Sequence, residues 1–237
     1  MDSYGTVNSK MQELEKQQAF SVLMRKVYTW MTMALVITGI CAYGVANSPA
    51  LLQIIYSTPM AMIVLCIAEV GLVFWLSARI QKMALTTATI MFIVYSVLNG
   101  ATMATLFIIY TQSSIARVFF ITAATFGITA LVGSTIKKDL SSLGGFLIMS
   151  LIGVIIAGVV NIFIKSSAFD FIISIVTVLI FVGLTAYDSQ KIKQMLLMAP
   201  DADETAQKVA LMGALSLYLD FINLFIHLLR IFGTRRD

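Results

Sequence analysis

Charge is scarce in this sequence. Asp, Glu, Lys and Arg make up 12% of its 237 residues, about half the ~25% of an ordinary soluble domain. A chain that is 59% hydrophobic, with a mean hydropathy of +0.92, is therefore excluded from the soluble globular class and reads as a polytopic membrane protein. Proline is also rare: Pro49, Pro59 and Pro200 are the only three, and each falls at a break between apolar runs. There are only two cysteines, Cys41 and Cys66, each inside an apolar run with no CxxC neighbour. A disulfide framework is not indicated, and the two thiols read as small buried apolar side chains. There is one histidine, and neither HExxH nor GxSxG occurs, so hydrolytic chemistry has little support and an enzyme is not expected. The first 26 residues are polar and lack a charged stretch leading into a short apolar one, so no cleavable signal peptide is expected.

What the sequence does contain is a series of seven long apolar runs. They lie at about 27–46, 60–78, 84–110, 115–136, 143–164, 169–187 and 209–232, with a short apolar piece at 51–56 ahead of the second. The expected fold is all-α: one domain of seven transmembrane helices over residues 27–232. A polar cytoplasmic segment, 1–26, precedes it and a short basic tail, 233–237, follows. Small residues at every fourth position in the third run (Ser96, Gly100, Ala104), and Gly153, Ala157 and Gly158 in the fifth, predict close helix packing.

The net charge of +4 does not point to nucleic acid, because the basic residues cluster at the ends of the runs. Lys10, Lys16, Arg25 and Lys26, then Arg79 and Lys82, Lys137 and Lys138, and Lys191, Lys193 and Lys208 would all share one side of the membrane. The opposite loops hold Arg117 and Lys165. The positive-inside rule makes the first side, and the amino terminus, cytoplasmic. Arg230, Arg235 and Arg236 disagree if the seventh run crosses fully. Full crossing is the preferred reading, with a re-entrant last helix as the alternative.

The few acids inside the runs stand out, since a charge in the hydrocarbon costs several kcal/mol unless paired or hydrated. Glu69 sits mid-way in the second run and Asp220 mid-way in the last. Asn223 and His227 follow Asp220 at i+3 and i+7, on the same stripe. Arg79 and Asp188 fall at the cytoplasmic ends of their runs, where Asp188 could approach Asp220 if its helix end bends inward. Two carboxyls sharing a site hold one proton between them, and an arginine added to the site makes a pH-dependent clamp. Ionised, Asp188 and Asp220 could attract calcium transiently, but two carboxylates are too few for a tight calcium cage.

The stretch SLYLDFINLFIHLLRIFG, with TAYDSQKIK at the end of the sixth run, AEVGLVFWLSARI in the second and KKDLSSLGGFL before the fifth, resembles the transmembrane BAX inhibitor motif (Bax inhibitor) family in its bacterial branch. The resemblance covers essentially the whole chain. It implies a seven-helix fold with the last helix central and a pH-sensitive calcium leak across the membrane, with no tightly bound cofactor. It also implies a di-aspartyl pH sensor at Asp188 and Asp220, a latch at Arg79 and an ion-path glutamate at Glu69. Against that resemblance, the spacing from Glu69 to Arg79 is one residue shorter than in a bacterial relative, and His227 stands where an amide is expected. Expected partners are calcium ions, protons and the lipid bilayer of a bacterial inner membrane. The alternative is a non-conducting regulator that binds another membrane protein, such as a membrane protease, through residues 1–26.

Overall fold

The structure, a computed structural model, describes residues 2–56 and 58–236; the side chains of 2–10, 12 and 59 lie outside that description. Lys10 of the orientation count, and the terminal residues Met1 and Asp237 of the two flanking segments, are among those left out. Eight α-helices account for nearly all the described residues: α1 Asp2–Ala46, α2 Pro49–Tyr56, α3 Pro59–Arg79, α4 Leu85–Ile109, α5 Gln112–Thr135, α6 Ser141–Ile164, α7 Ser167–Leu197 and α8 Glu204–Phe232. Seven of them, all but the short α2, are long and apolar enough to cross a bilayer. The protein is an all-α polytopic membrane protein, as the apolar runs predict.

The helix boundaries follow from local chemistry. Thr58 caps α3 by accepting from the Ala61 amide, with Pro59 in the first turn, where its missing N–H is harmless. Thr111 caps α5 through the Ser114 amide. Asp203 accepts from the Ala206 amide at 2.7 Å and starts α8 just after Pro200 has closed the preceding turn. α6 ends on Lys165, whose φ of 55° is the left-handed cap position that glycine usually fills.

Two compact units share the chain: Met1–Thr102 with Lys191–Leu215, and Met103–Gln190 with Ser216–Asp237. α4, α7 and α8 each contribute to both. α8 is the most buried of the spans, with 67% of its apolar window enclosed by protein, against 6% for α3 and for α6.

In the first unit, α1 is one helix of 45 residues. From Asp2 on, the polar amino-terminal segment is therefore continuous with the first span, and side chains 13–18 are exposed all round it. Gly100 lets α4 lie against α1: a Cβ there would come within 2.7 Å of the Thr38 carbonyl oxygen and of Cys41. The start of α8 is tied to the start of α4, because Glu204 accepts from the Leu85 amide and Lys208 donates to the Met83 carbonyl.

In the second unit, Phe119 and Phe126 of α5 meet Phe221 of α8 edge-on, with ring centroids 5.5 Å apart in each case. α8 runs unbroken to Phe232. The tail then lies extended beside the α4–α5 turn. Thr111 donates to the Thr234 carbonyl, Arg236 to that of Ile109, and Arg235 faces Tyr110 in an isolated antiparallel bridge.

Two packing expectations are corrected. A Cβ on Gly153 or Gly158 would meet nothing within 4 Å. The close approaches of the second unit are instead Gly133 on Ala186, Gly144 on the Tyr187 ring and Gly183 on Leu147. Cys66 is exposed on α3 rather than buried, on a helix that turns most of its surface to lipid; Cys41 is half-buried and donates to the Val97 carbonyl.

Candidate functional site

Asp220 projects from the buried helix α8 and is itself 4% exposed. Its Oδ2 has no hydrogen-bond donor among the described residues. A buried, unpartnered carboxyl oxygen carries a desolvation penalty of about 1–3 kcal/mol or more, and such sites are retained where they do chemistry. Asp188 of α7 is the charged neighbour: its carboxyl is close enough to act electrostatically on Asp220. The two acids are 32 positions apart in sequence and are brought together inside the second unit, as expected. α7 continues as helix past Asp188 to Leu197.

Three contacts hold α7 in that position. Gly133 leaves room for the Ala186 backbone, and Gly144 does the same for the Tyr187 ring. Gln190 then clasps the α5–α6 connection: its amide N–H groups donate to the carbonyls of Ile136 (3.2 Å) and Lys138 (2.9 Å), and its Oε1 accepts from the Leu140 amide (2.9 Å). Reading the sequence for charge missed Gln190, since an uncharged amide beyond an apolar run gives no signal.

Along α8 from Asp220, the polar stripe continues into a cavity of about 420 Å³. Its polar lining is Asn161, Asp170, Thr177, Asn223, His227 and Arg230. Asn223 donates to the Leu219 carbonyl of its own helix. His227 Nδ1 lies 3.3 Å from the Ser174 hydroxyl. At the mouth, Arg230 forms an ion pair with Asp170 at 3.2 Å, so one of the three tail-end arginines is already matched by an acid. The cavity reaches Asn223, one helical turn short of Asp220. Thus the structure gathers Asn223 and His227 into one space, as their spacing predicts, and adds Asp170, Asn161 and Thr177.

Arg79 and Glu69 belong to the first unit. Arg79 is exposed at the last turn of α3. Glu69 is half-buried and accepts from the Thr102 hydroxyl of α4 at 2.9 Å. Among the described residues, no group of three or more His, Cys, Asp or Glu side chains is gathered where it could hold a metal ion.

These features, seven apolar spans with an acid in the most buried of them, agree with the comparisons. A family model described as inhibitor of apoptosis-promoting Bax1 matches residues 20–237. The chain belongs to the Bax inhibitor family. Among its relatives, the inner membrane protein YbhL of Escherichia coli K12 is 44% identical over 224 residues, covering 94% of this chain and 96% of the relative. An uncharacterized protein of Borreliella burgdorferi is 42% identical over 225 residues, covering 94% and 97%. A third, uncharacterized protein RP147 of Rickettsia prowazekii, is 42% identical over 214 residues and covers 90% of both chains. This Bax inhibitor family member is thus an integral membrane protein with bacterial relatives along nearly its full length.

Proposed function

We propose that this protein is a proton-regulated leak pathway for cations, calcium among them, in a bacterial inner membrane, with its amino terminus in the cytoplasm. The observation that carries the reading is the placement of Asp220. It is a buried carboxyl with an unpartnered oxygen, within electrostatic reach of Asp188 and one turn from a polar cavity. Two neighbouring acids cannot both ionise cheaply, so they titrate as a pair that gains or loses one proton. In this reading Arg79 is the latch: it clamps the ionised pair at higher pH and is released when a proton neutralises it. Glu69 stands on the ion path. Calcium passes as a permeant ion, held transiently by the acids, and no resident cofactor is involved.

The test is calcium flux into liposomes containing the purified protein, measured across a range of pH. Flux should rise as pH falls in the wild type. Asp188→Asn and Asp220→Asn should each abolish that dependence, and Arg79→Ala should leave the pathway open at high pH. An unchanged pH profile in both aspartate variants would remove the di-aspartyl sensor.

A second reading is favoured by the exposed polar stretch 13–18 of α1. A polar helix standing clear of the span offers a docking element for another membrane protein. Deleting residues 2–18 should then abolish capture of that partner while leaving flux intact.

A further inference from the structure

α3 and α4 meet inside the first unit at a polar cluster. The Thr102 hydroxyl lies 2.9 Å from Glu69 Oε1 and 2.9 Å from the backbone carbonyl of Asn99. The Asn99 side chain shares a hydrogen bond with Tyr95. Asn99 is nevertheless only 9% exposed, and its Oδ1 has no donor among the described residues. Tyr95, Asn99 and Thr102 are spaced i, i+4, i+7 and share one stripe of α4, the stripe that faces Glu69.

Packing alone does not explain this arrangement. A buried acceptor without a donor is destabilising by about 1–3 kcal/mol, and a carboxyl in the hydrocarbon region costs more. If the role were only to join two helices, the Thr102–Glu69 bond would suffice and position 99 could be apolar. What Glu69 and Asn99 have in common is Tyr95 as a neighbour, which Glu69 acts on electrostatically and Asn99 hydrogen-bonds, so their oxygen acceptors belong to one cluster; the species that satisfies several such oxygens at once is a hard cation.

We propose that the Glu69 carboxylate, the Asn99 side-chain carbonyl and the Thr102 hydroxyl form an intramembrane binding site for a hard cation, with the Tyr95 hydroxyl orienting Asn99. The assignment of the site as a stopping point for the permeant ion rests on the leak reading; the binding does not. One carboxylate and two neutral oxygens fall short of the six to eight oxygens that calcium takes at about 2.3–2.6 Å, so water carried in with the ion must complete the shell. Such a site is weak, on the order of 10⁻⁴–10⁻³ M for calcium, and an ion held that loosely can leave again.

Terbium(III), a hard trivalent stand-in for calcium, is the probe, titrated into the full-length protein in detergent with its tyrosine-sensitised emission as the readout and calcium as competitor. Glu69→Gln and Asn99→Leu should each weaken binding about tenfold, the loss of roughly one ligand's worth of free energy. Asn99→Asp, which adds a second carboxylate, should tighten it by a similar factor. The surface variant Asp139→Asn should bind like the wild type. Asn99→Leu and Asn99→Asp that both bind as the wild type would overturn the site. If Asn99→Leu fails to fold, Asn99→Asp and Thr102→Val decide in its place, the latter weakening binding if the site exists. Liposome flux separates the two ideas. Terbium binding that depends on Asn99 in a protein that passes no calcium leaves the site standing and removes the leak. A pH-dependent flux with terbium binding indifferent to residue 99 does the reverse.

Discussion

Gly133→Ala is the sharpest single test of how the acid pair is held. A Cβ at this position would lie 2.2 Å from the Ala186 carbonyl oxygen and 2.6 Å from its Cα. Ordinary contact begins near 3.4 Å, so the two backbones would have to part by about 1.2 Å. Backbone cannot rotate aside as a flexible side chain can, and overpacking of this kind costs roughly 1–3 kcal/mol. For a chain of this size that corresponds to a fall in Tm of about 2–12 °C. Ala186 is two residues before Asp188, so the displaced α7 should also carry its carboxyl away from Asp220 and blunt the pH dependence of flux. Thermal unfolding in detergent and liposome flux are the assays, and Gly153→Ala is the control. Its Cβ meets open space, and replacing a helical glycine by alanine there should be neutral or stabilising by up to ~1 kcal/mol. If the two variants melt alike, the α5–α7 contact does not position the site.

Gln190→Ala leaves two backbone carbonyls and one amide of the α5–α6 connection without their partner, and should cost about 1–3 kcal/mol, seen as faster hydrogen exchange at Leu140. Lys165→Gly relieves a left-handed backbone and should stabilise by roughly 0.5–1 kcal/mol in a denaturation series. Asp139 is an exposed carboxyl held below the usual range by hydrogen bonds from the Ser141 hydroxyl and amide. A depressed folded pKa contributes stability above the unfolded value that is lost as pH falls through the folded one. Ser141→Ala should therefore raise the Asp139 pKa toward the ordinary carboxylate value in an NMR titration and shrink that pH-dependent contribution, its loss being complete at a higher pH than in the wild type.

The spans were legible because hydropathy over twenty residues is a strong signal, and the turns because Pro49, Pro59 and Pro200 mark them. The length of α1 was not legible, since its first half is polar and only backbone continuity joins it to the span. Small residues misled in one place and not in another. Gly100 seats α1, whereas Gly153 faces open space, because in a bilayer both the lipid side and the protein side of a helix are apolar and composition does not tell them apart. Asp188 and Asp220 were singled out as acids in apolar surroundings, and their meeting was made concrete by the resemblance. Asn99 and Thr102 went unnoticed because they sit in a run whose small residues were explained by packing, and only the fold places Glu69 across from them. Asp170 was passed over in the same way, because an acid at the start of a helix looks solvated until Arg230 is seen beside it.

α8 is fastened at each of its ends. Glu204 and Lys208 secure its first turns to the start of α4, and its last residues lead into an extended stretch zipped to the α4–α5 turn. Each fastening is local to its own unit, so neither end of α8 is released without breaking the hydrogen bonds at that end. A spin-label pair joining the first turn of α8 to the start of α4 should report a constant separation at every pH.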